Sequence, residues 1–376
     1  MNEQRALSVL HILPAVRPTN AQYHEHCLPM RHKRRIVICS LLSSTLAPPP
    51  PLELIAGDGS RRGAWRALRA ALKAEPYDII HAHVPITGAL LAAAMVASRR
   101  SMSSCVFSMT NSYGSYRRRN QLLLYPIFAL FPQLVLCSAA VKESLPLMLA
   151  RLARNKATVV LNGVDTERVD EVLASLPDSG SDIGRRAGMT LVSVGRLIDI
   201  KDPHTLVAAF AAFARPGDRL VFVGDGPLRD DIMRWAEQAG VGSQVEITGF
   251  VPREDVYRRV VSGDVCVAVS LGEGLPCAVL ESMACGRPVI LSDIPPHREI
   301  ADEVDFVPFV ATGDVEGLVR ELVRVRSMSA QERLDVGDQC QKLVSARYSV
   351  AAMHTALEPV YRRAARHGDD EWGECA

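Results

Sequence analysis

Two glutamates lie at a turn in the second half of the chain: Glu273 is within the turn, and Glu281 is in the segment that follows it. Residues 264–269 before the turn are apolar and β-branched, which predicts a buried strand. Residues 277–285 after it contain no helix breaker and follow Pro276, a residue suited to the first turn of a helix. The segment is therefore a strand–loop–helix unit, and its loop lies at the carboxyl end of a strand, where α/β sheets bind ligands.

The chemistry of this loop suits a phosphorylated sugar. Exposed backbone amides and the positive end of the helix dipole after Pro276 favour phosphate. The carboxylates of Glu273 and Glu281 suit hydroxyl groups, because charged acceptors form the stronger hydrogen bonds. Phosphate with hydroxyl-bearing groups at both ends describes a nucleoside diphosphate sugar. From the spacing alone, a loop with two solvated glutamates explains the same residues.

Two cations accompany this loop. Arg196 and Lys201 follow a strand predicted at residues 190–194 and lie close to the same rim of the sheet. Together with the helix N-terminus they could neutralise a diphosphate, although either alone could be a surface charge. No acidic pair suited to a divalent metal follows a strand, so we expect no metal and no cofactor beyond a nucleotide-sugar co-substrate. Every strand exit of this half carries polar or glycine residues, and the glycines include Gly195, Gly224, Gly249 and Gly272.

Composition indicates a cytoplasmic protein with an uneven charge distribution. None of the nine cysteines has metal-ligand spacing, which favours reduced thiols. The longest apolar stretch, residues 84–97, is too short to span a bilayer. Residues 1–180 carry a net charge of +9 and residues 181–376 one of −8, so we expect an anionic partner for the first half.

A basic and apolar segment is the candidate for that anionic contact. Arginines at 117–119 precede a dense apolar run at residues 122–131. This combination can seat a helix on an anionic membrane surface, and a core helix with a basic end is the alternative. We expect peripheral association with the inner face of the cell membrane and no nucleic-acid partner.

The first half also offers histidines and asparagines. A polar loop at residues 14–29 contains His24 and His26, for which acceptor contact is favoured over metal binding. A strand at residues 76–83 ends in His81 and His83, which share one face, with His83 nearer the carboxyl end. That residue is either a ligand contact or a buried, hydrogen-bonded histidine.

Alternating strands and helices occur in two consecutive series, which predicts two doubly wound Rossmann-like domains facing each other across a cleft. We expect an N-terminal acceptor-binding domain at 1–165 and a linker at 166–188. A C-terminal donor-binding domain then covers 189–350, and a helix at 351–376 packs back toward the N-terminal domain.

Four motifs together resemble the retaining, nucleotide-sugar-dependent glycosyltransferases of family 4, which have the GT-B architecture. The motifs are residues 193–197 with Lys201, residues 223–227, residues 249–251, and Glu273 separated from Glu281 by seven intervening residues. The resemblance implies that Arg196 and Lys201 hold the donor diphosphate, that Glu273 binds sugar hydroxyls and that Glu281 binds the ribose. It also places the base at the backbone of Val251 and His83 near the reacting centre. The implied catalytic residues are His83, Arg196, Lys201 and Glu273, and the remaining donor contacts are Gly195, Gly224, Val251, Gly274, Leu275, Pro276, Cys277 and Glu281.

The sequence departs from the family mainly in its first half. Residues 19–21 are Thr-Asn-Ala where the family usually carries a Gly-Gly pair, and Asn111 follows a strand where a histidine is frequent. Cys277 has an unusual polarity for its loop position. The expected acceptor contacts are Asn20, His83 and Asn111.

The expected reaction is transfer of a sugar from a UDP- or GDP-sugar to an acceptor hydroxyl with retention at the anomeric carbon. The acceptor would be lipid-linked or a small molecule, in cell-surface polysaccharide, glycolipid or natural-product glycoside biosynthesis. The alternatives are a nucleotide-sugar epimerase or hydrolase of the same fold, and a non-catalytic partner subunit. A Rossmann oxidoreductase is disfavoured because no Gly-x-Gly-x-x-Gly follows the first strand.

Overall fold

The computed structural model describes residues 7–18, 20–176 and 188–372, with side chains to residue 365. Thr19, residues 177–187 of the expected linker and residues 373–376 of the C-terminal segment lie outside the described residues. The chain divides into two compact units. The first comprises Met1–Gly163 and Val350–Ala376, and the second comprises Val164–Ser349.

The first unit is built on a seven-stranded parallel sheet in the order β3-β2-β1-β4-β5-β6-β7. Val9, Ile79 and Val106 of the sheet pack against the C-terminal helix, Val350–Trp372, through Leu357 and Tyr361. The strands are β1 Ser8–Leu13, β2 Arg35–Ser40, β3 Glu53–Ala56, β4 Ile79–His83, β5 Cys105–Met109, β6 Gln133–Leu136 and β7 Ala157–Val159. The other helices are α1 Arg61–Ala74, α2 Pro85–Ala97, α3 Arg118–Leu130, α4 Ala139–Glu143 and α5 Leu147–Ala153.

The second unit has a six-stranded parallel sheet in the order β10-β9-β8-β11-β12-β13. Its core consists of side chains such as Leu191, Phe210, Phe222 and Ile290, all almost completely buried. The strands are β8 Thr190–Val194, β9 Arg219–Val223, β10 Val245–Ile247, β11 Val265–Ala268, β12 Val289–Ser292 and β13 Phe309–Val310. The helices are α6 Thr166–Ala174, α7 Pro203–Phe213, α8 Arg229–Gln238, α9 Arg253–Val261, α10 Cys277–Ala284, α11 Pro295–Ala301, α12 Val315–Ser327 and α13 Ala330–Arg347.

The strand order explains why residues far apart in sequence share a site. In the second sheet β8 lies between β9 and β11, so the loops that follow these three strands meet at one edge. The order reverses at this point, which is where doubly wound sheets bind ligands. The predicted α/β class with two doubly wound parallel sheets is confirmed.

Two segments differ from the sequence-based expectation. Residues 166–174 of the expected linker form α6, which Asp165 caps by accepting a hydrogen bond from the Arg168 amide, and this helix belongs to the second unit. Although the segment is polar in composition, it forms an amphipathic helix in which Val169 and Val172 are buried. The expected polar loop at residues 14–29 contains a helical turn, Tyr23–Cys27, because Asn20 accepts a hydrogen bond from the Tyr23 amide.

Candidate active site

The loops after β8 and β11 frame a pocket in the second unit that encloses about 430 Å³ of space, including its opening to solvent. The floor comes from apolar residues such as Phe222 and Val279. The polar lining comes from Ser193, Arg196, Lys201, Ser270 and Glu273. Arg196, Lys201 and Glu273, which the sequence predicts to act together, therefore line one pocket.

Glycines allow the β8 and β9 exit loops to approach this closely. Gly224 has a φ of +148°, and a Cβ atom there would lie 2.0 Å from the carbonyl oxygen of Gly195. Gly195 itself has a φ of +151° and donates its amide to the Val223 carbonyl at 3.1 Å. Only residues without a side chain fit this contact, which positions Arg196 at the pocket. Direct contact of Gly195 or Gly224 with a donor stays a prediction.

Lys201 and Glu273 form an ion pair between Nζ and Oε1. Ser270 also donates its hydroxyl to Glu273 Oε1, at 2.7 Å. The side chain of Glu273 is 10% exposed and that of Lys201 is 26% exposed, so the pair is partly shielded from water. The structure thus brings together a cation and a carboxylate that the sequence assigns to different parts of one donor.

The surroundings of Glu273 keep it ionised. Burial alone would raise its pKa, but the Lys201 charge and the hydrogen bonds from Lys201 and Ser270 outweigh burial, so the pKa lies below 4.5. A depressed carboxylate pKa contributes stability that is fully present above the unfolded-state value and is lost as the pH falls through the folded-state value. Glu273 is therefore a charged acceptor at neutral pH, as hydroxyl binding requires.

Arg196 differs from Lys201 because its side chain is exposed at the pocket. Among the residues that the structure describes, none forms an ion pair with its guanidinium. An exposed guanidinium offers donors that match the geometry of phosphate oxygens.

Helix α10 begins at this pocket. Its N-cap residue, Pro276, makes no side-chain capping bond, and Pro276 and Ala278 line the pocket. The positive end of the helix dipole therefore lies beside the two cations. Gly274, Leu275 and Pro276 are buried and Cys277 is half-buried, and contact of their backbone amides with a donor stays a prediction.

Glu281 lies in the second turn of α10 and is held by α9. Arg253 Nε donates to Glu281 Oε1 at 2.6 Å, Arg253 Nη2 also contacts Oε1, and the Tyr257 hydroxyl donates to the same oxygen at 3.0 Å. Tyr257 is 1% exposed, and burial raises the pKa of its hydroxyl, which remains protonated. The sequence reasoning missed Arg253 and Tyr257, although their i, i+4 spacing places them on one helix face.

A histidine cluster lies in the first unit, made of His11, His26, His81, His83 and His354. His83 is fully buried, and its Nε2 lies 3.0 Å from His11 Nδ1. The His81 ring stacks on that of His83 with centroids 4.0 Å apart, and its nitrogens lie 2.7 Å from the hydroxyls of Tyr361 and Ser108. His83 is thus buried and hydrogen-bonded, and its contact with a ligand stays a prediction.

Metal binding by this cluster would break existing bonds. The ligand atoms of His11, His81 and His83 lie within 4.8 Å of one another. However, both nitrogens of His81 already contact hydroxyl groups, and His11 and His83 already share a hydrogen bond. The three rings are therefore a buried polar network whose hydrogen bonds are largely internal.

Burial keeps the cluster neutral. It lowers the pKa of His11 to about 3 and that of His354 to about 4, and neighbouring positive charges act in the same direction on His11. Burial is also the main reason why the pKa values of His26, His81 and His83 lie well below 6.5. These rings are neutral at pH 7 and therefore contribute no cation to this region.

The remaining predicted residues occupy different positions. Asn20 stabilises its own loop: its side-chain amide donates to the Ala15 carbonyl at 2.9 Å, and its side-chain oxygen accepts from the Tyr23 amide. Asn111 is half-buried after β5, whose Ser108 pairs with His83 of β4. Val251 is half-buried in the loop after β10. The acceptor roles of Asn20, His83 and Asn111 and the base contact of Val251 stay predictions.

Comparison with known proteins supports the resemblance along most of the chain. A family model described as Glycosyltransferase Family 4 matches residues 32–168, and one described as Glycosyl transferases group 1 matches residues 188–327. The UDP-Gal:alpha-D-GlcNAc-diphosphoundecaprenol alpha-1,3-galactosyltransferase of Escherichia coli is 27% identical over 69% of this chain and 69% of its own. The GDP-mannose-dependent alpha-(1-6)-phosphatidylinositol dimannoside mannosyltransferase of Mycobacterium tuberculosis is 33% identical over 39% of each chain.

Solved structures agree on the fold. Anabaena HepE, crystallised with UDP and glucose, superposes with a TM-score of 0.76 at 17% identity and covers 94% of this chain and 98% of its own. The two family models together match more than half of the sequence, one in each half. The chain therefore belongs to the family 4-type glycosyltransferases of the GT-B fold.

Proposed function

We propose that this glycosyltransferase moves a sugar from a UDP- or GDP-sugar to an acceptor hydroxyl with retention at the anomeric carbon. The observation that carries the proposal is the pocket in the second unit, where Arg196, Lys201 and Glu273 lie beside the N-terminus of α10. Relatives whose names specify UDP-Gal and GDP-mannose support these two donor classes.

The proposed donor contacts follow the chemistry of each group. Arg196, Lys201 and the α10 dipole stabilise the charge that develops on the leaving diphosphate, so no metal is needed for that task. Glu273 accepts hydrogen bonds from sugar hydroxyls, and Glu281 accepts them from the ribose. The loop at Val251 meets the base.

Diphosphate binding changes the partner of Lys201. In the structure its ammonium neutralises Glu273. A donor that places phosphate against Lys201 and hydroxyls against Glu273 offers both groups replacement partners, which limits the cost of separating them. The ion pair thus keeps both side chains at the pocket until the donor binds.

We further propose a lipid-linked acceptor at the cytoplasmic face of the membrane, with a small-molecule acceptor as the alternative. On the first unit, α3 packs against α5, and Leu122, Leu147 and Met148 are each more than 60% exposed. Exposed arginines accompany them at 117–119 and 151. Apolar side chains with a basic fringe suit an anionic bilayer surface. Among the described residues, no helix combines the length and apolarity needed to cross a bilayer.

A donor screen tests the proposal. Hydrolysis and thermal unfolding are measured with UDP-, GDP-, ADP- and dTDP-sugars, with and without EDTA. We expect one nucleotide class to stabilise the protein in EDTA and to be slowly hydrolysed. If no nucleotide sugar stabilises the protein, the donor assignment is wrong and a non-catalytic role gains support.

A further inference from the structure

The two carboxylate oxygens of Glu281 have different surroundings. Oε1 accepts hydrogen bonds from Arg253 and from the Tyr257 hydroxyl. Oε2 has no hydrogen-bond donor among the described residues, and it is not enclosed like the fully buried unpaired atoms of the structure. One oxygen is thus anchored, and the other is available to a ligand.

The anchor is itself hydrogen-bonded and largely buried. Arg253 and Tyr257 begin successive turns of α9, and Arg253 Nε also lies 3.3 Å from the Tyr257 hydroxyl. The side chains of Arg253 and Glu281 are 11% and 9% exposed, and Tyr257 is 1% exposed. Buried charge-assisted hydrogen bonds of this kind restrict the carboxylate to one orientation.

We infer that Arg253 and Tyr257 are positioning residues that turn Glu281 Oε2 toward the ribose of the donor. The inference rests on the proposed donor-binding function and extends it to residues outside the four motifs. A carboxylate oxygen carries two lone pairs and can accept hydrogen bonds from two neighbouring hydroxyl groups. The α9 anchor therefore makes the enzyme discriminate between donors with and without ribose hydroxyls.

Isothermal titration with UDP, GDP and their 2′,3′-dideoxy forms tests this role. We expect wild-type protein to bind its preferred ribonucleotide about tenfold or more tightly than the dideoxy form. Arg253→Gln should weaken binding of the ribonucleotide while leaving the dideoxy form within about twofold of wild type. A merely structural role would weaken binding of both nucleotides equally.

Two further variants serve as controls for misfolding and for unspecific effects. Tyr257→Phe removes one hydroxyl donor and should reduce the discrimination in the same direction as Arg253→Gln. Arg258→Gln removes an exposed ion pair with Asp255 on the same helix and should leave discrimination at the wild-type value. Thermal unfolding of each variant shows whether it is folded at the titration temperature.

Three results would overturn the inference. If Arg253→Gln and Tyr257→Phe keep the full preference for the ribonucleotide, the α9 anchor does not act through the ribose. If wild type binds both forms equally, Glu281 does not contact the ribose, although nucleotide binding itself stands. If wild type binds no nucleotide, the proposed function fails and this inference fails with it.

Discussion

Lys201 and Glu273 come from the loops after two neighbouring strands, β8 and β11, and form an ion pair at the pocket. Arg196, on the same loop as Lys201, is exposed and has no ion-pair partner among the residues described. One cation of the site, Lys201, is therefore paired with a carboxylate, and the other, Arg196, is exposed to solvent. This arrangement leads to separate expectations for the two cations.

Removing Lys201 should reduce turnover far more than stability. With Lys201→Met we expect kcat to fall by about 100-fold or more, because the leaving diphosphate loses a cation within a shielded pocket. Steady-state kinetics with the donor found in the screen measure this. Lys342→Met is the control, since Lys342 pairs with Asp338 at an exposed position. A decrease below about tenfold for Lys201→Met would count against its assignment.

The effects of replacing Lys201 and Glu273 on the free energy of unfolding should not be additive. Each single change, Lys201→Met or Glu273→Gln, leaves a partly buried charge without its partner, whereas the double variant leaves none. We expect a coupling of about 1–3 kcal/mol in a double-mutant cycle measured by urea unfolding. Additive effects within about 0.3 kcal/mol would show that the ion pair does not form in solution.

Acid should destabilise the first unit below pH 6.5. Folded-state pKa values of about 3 for His11 and about 4 for His354, with His26, His81 and His83 also depressed, lie below the unfolded value of 6.5. The unfolded chain therefore binds more protons than the folded chain between these values. Stability is complete above pH 6.5 and falls by about 1.4 kcal/mol per pH unit for each such histidine as the pH decreases.

Urea unfolding between pH 5 and pH 8 measures this dependence. His354→Gln should reduce the slope by about one proton, while His32→Gln, at an exposed position, should leave it unchanged. A free energy of unfolding that is constant between pH 7 and pH 5 would mean that the cluster is not buried as described.

Gly224→Ala should disrupt the donor pocket through the backbone. The added Cβ would lie 2.0 Å from the Gly195 carbonyl oxygen, and φ is +148°, so we expect a loss of about 1–3 kcal/mol in stability and weaker donor binding. Gly114→Ala is the control, because a Cβ there would meet no atom of the described residues within 4 Å. Equal stability of the two variants would argue against the close approach of the two loops.

Vesicle binding tests the proposed membrane surface. We expect sedimentation with vesicles containing anionic lipid at low salt and release as salt is raised. Replacing Leu147 and Met148 together by Gln should weaken binding, because the variant keeps the arginines but loses the apolar contact. If wild type does not bind anionic vesicles at low salt, a soluble acceptor becomes the better proposal.

Sequence reasoning was strongest where one local pattern determined both element and chemistry. Pro276 and the breaker-free run after it predicted α10, and the strand exits predicted that Arg196, Lys201 and Glu273 would share a rim. The first prediction follows from local helix signals, and the second follows from the parallel-sheet topology that the alternating pattern indicates.

Contacts between helices and strands could not be predicted by the same reasoning. The Arg253 anchor of Glu281 depends on how α9 packs against α10, and the His11–His83 bond depends on the pairing of β1 with β4. Neither partner is recognisable from residue type at its own position. Helix α6 was missed because its apolar residues are few and a polar segment was taken as a linker.

The most direct test of the donor site is a titration of UDP and GDP, in EDTA, onto wild-type protein and Arg196→Gln. Arg196 is exposed and makes no ion pair within the described residues, so its replacement should leave the fold intact. We predict that one nucleotide binds wild type without metal and binds Arg196→Gln at least tenfold more weakly. Equal binding to both proteins, or no binding to wild type, would contradict a diphosphate site at the β8 and β11 loops.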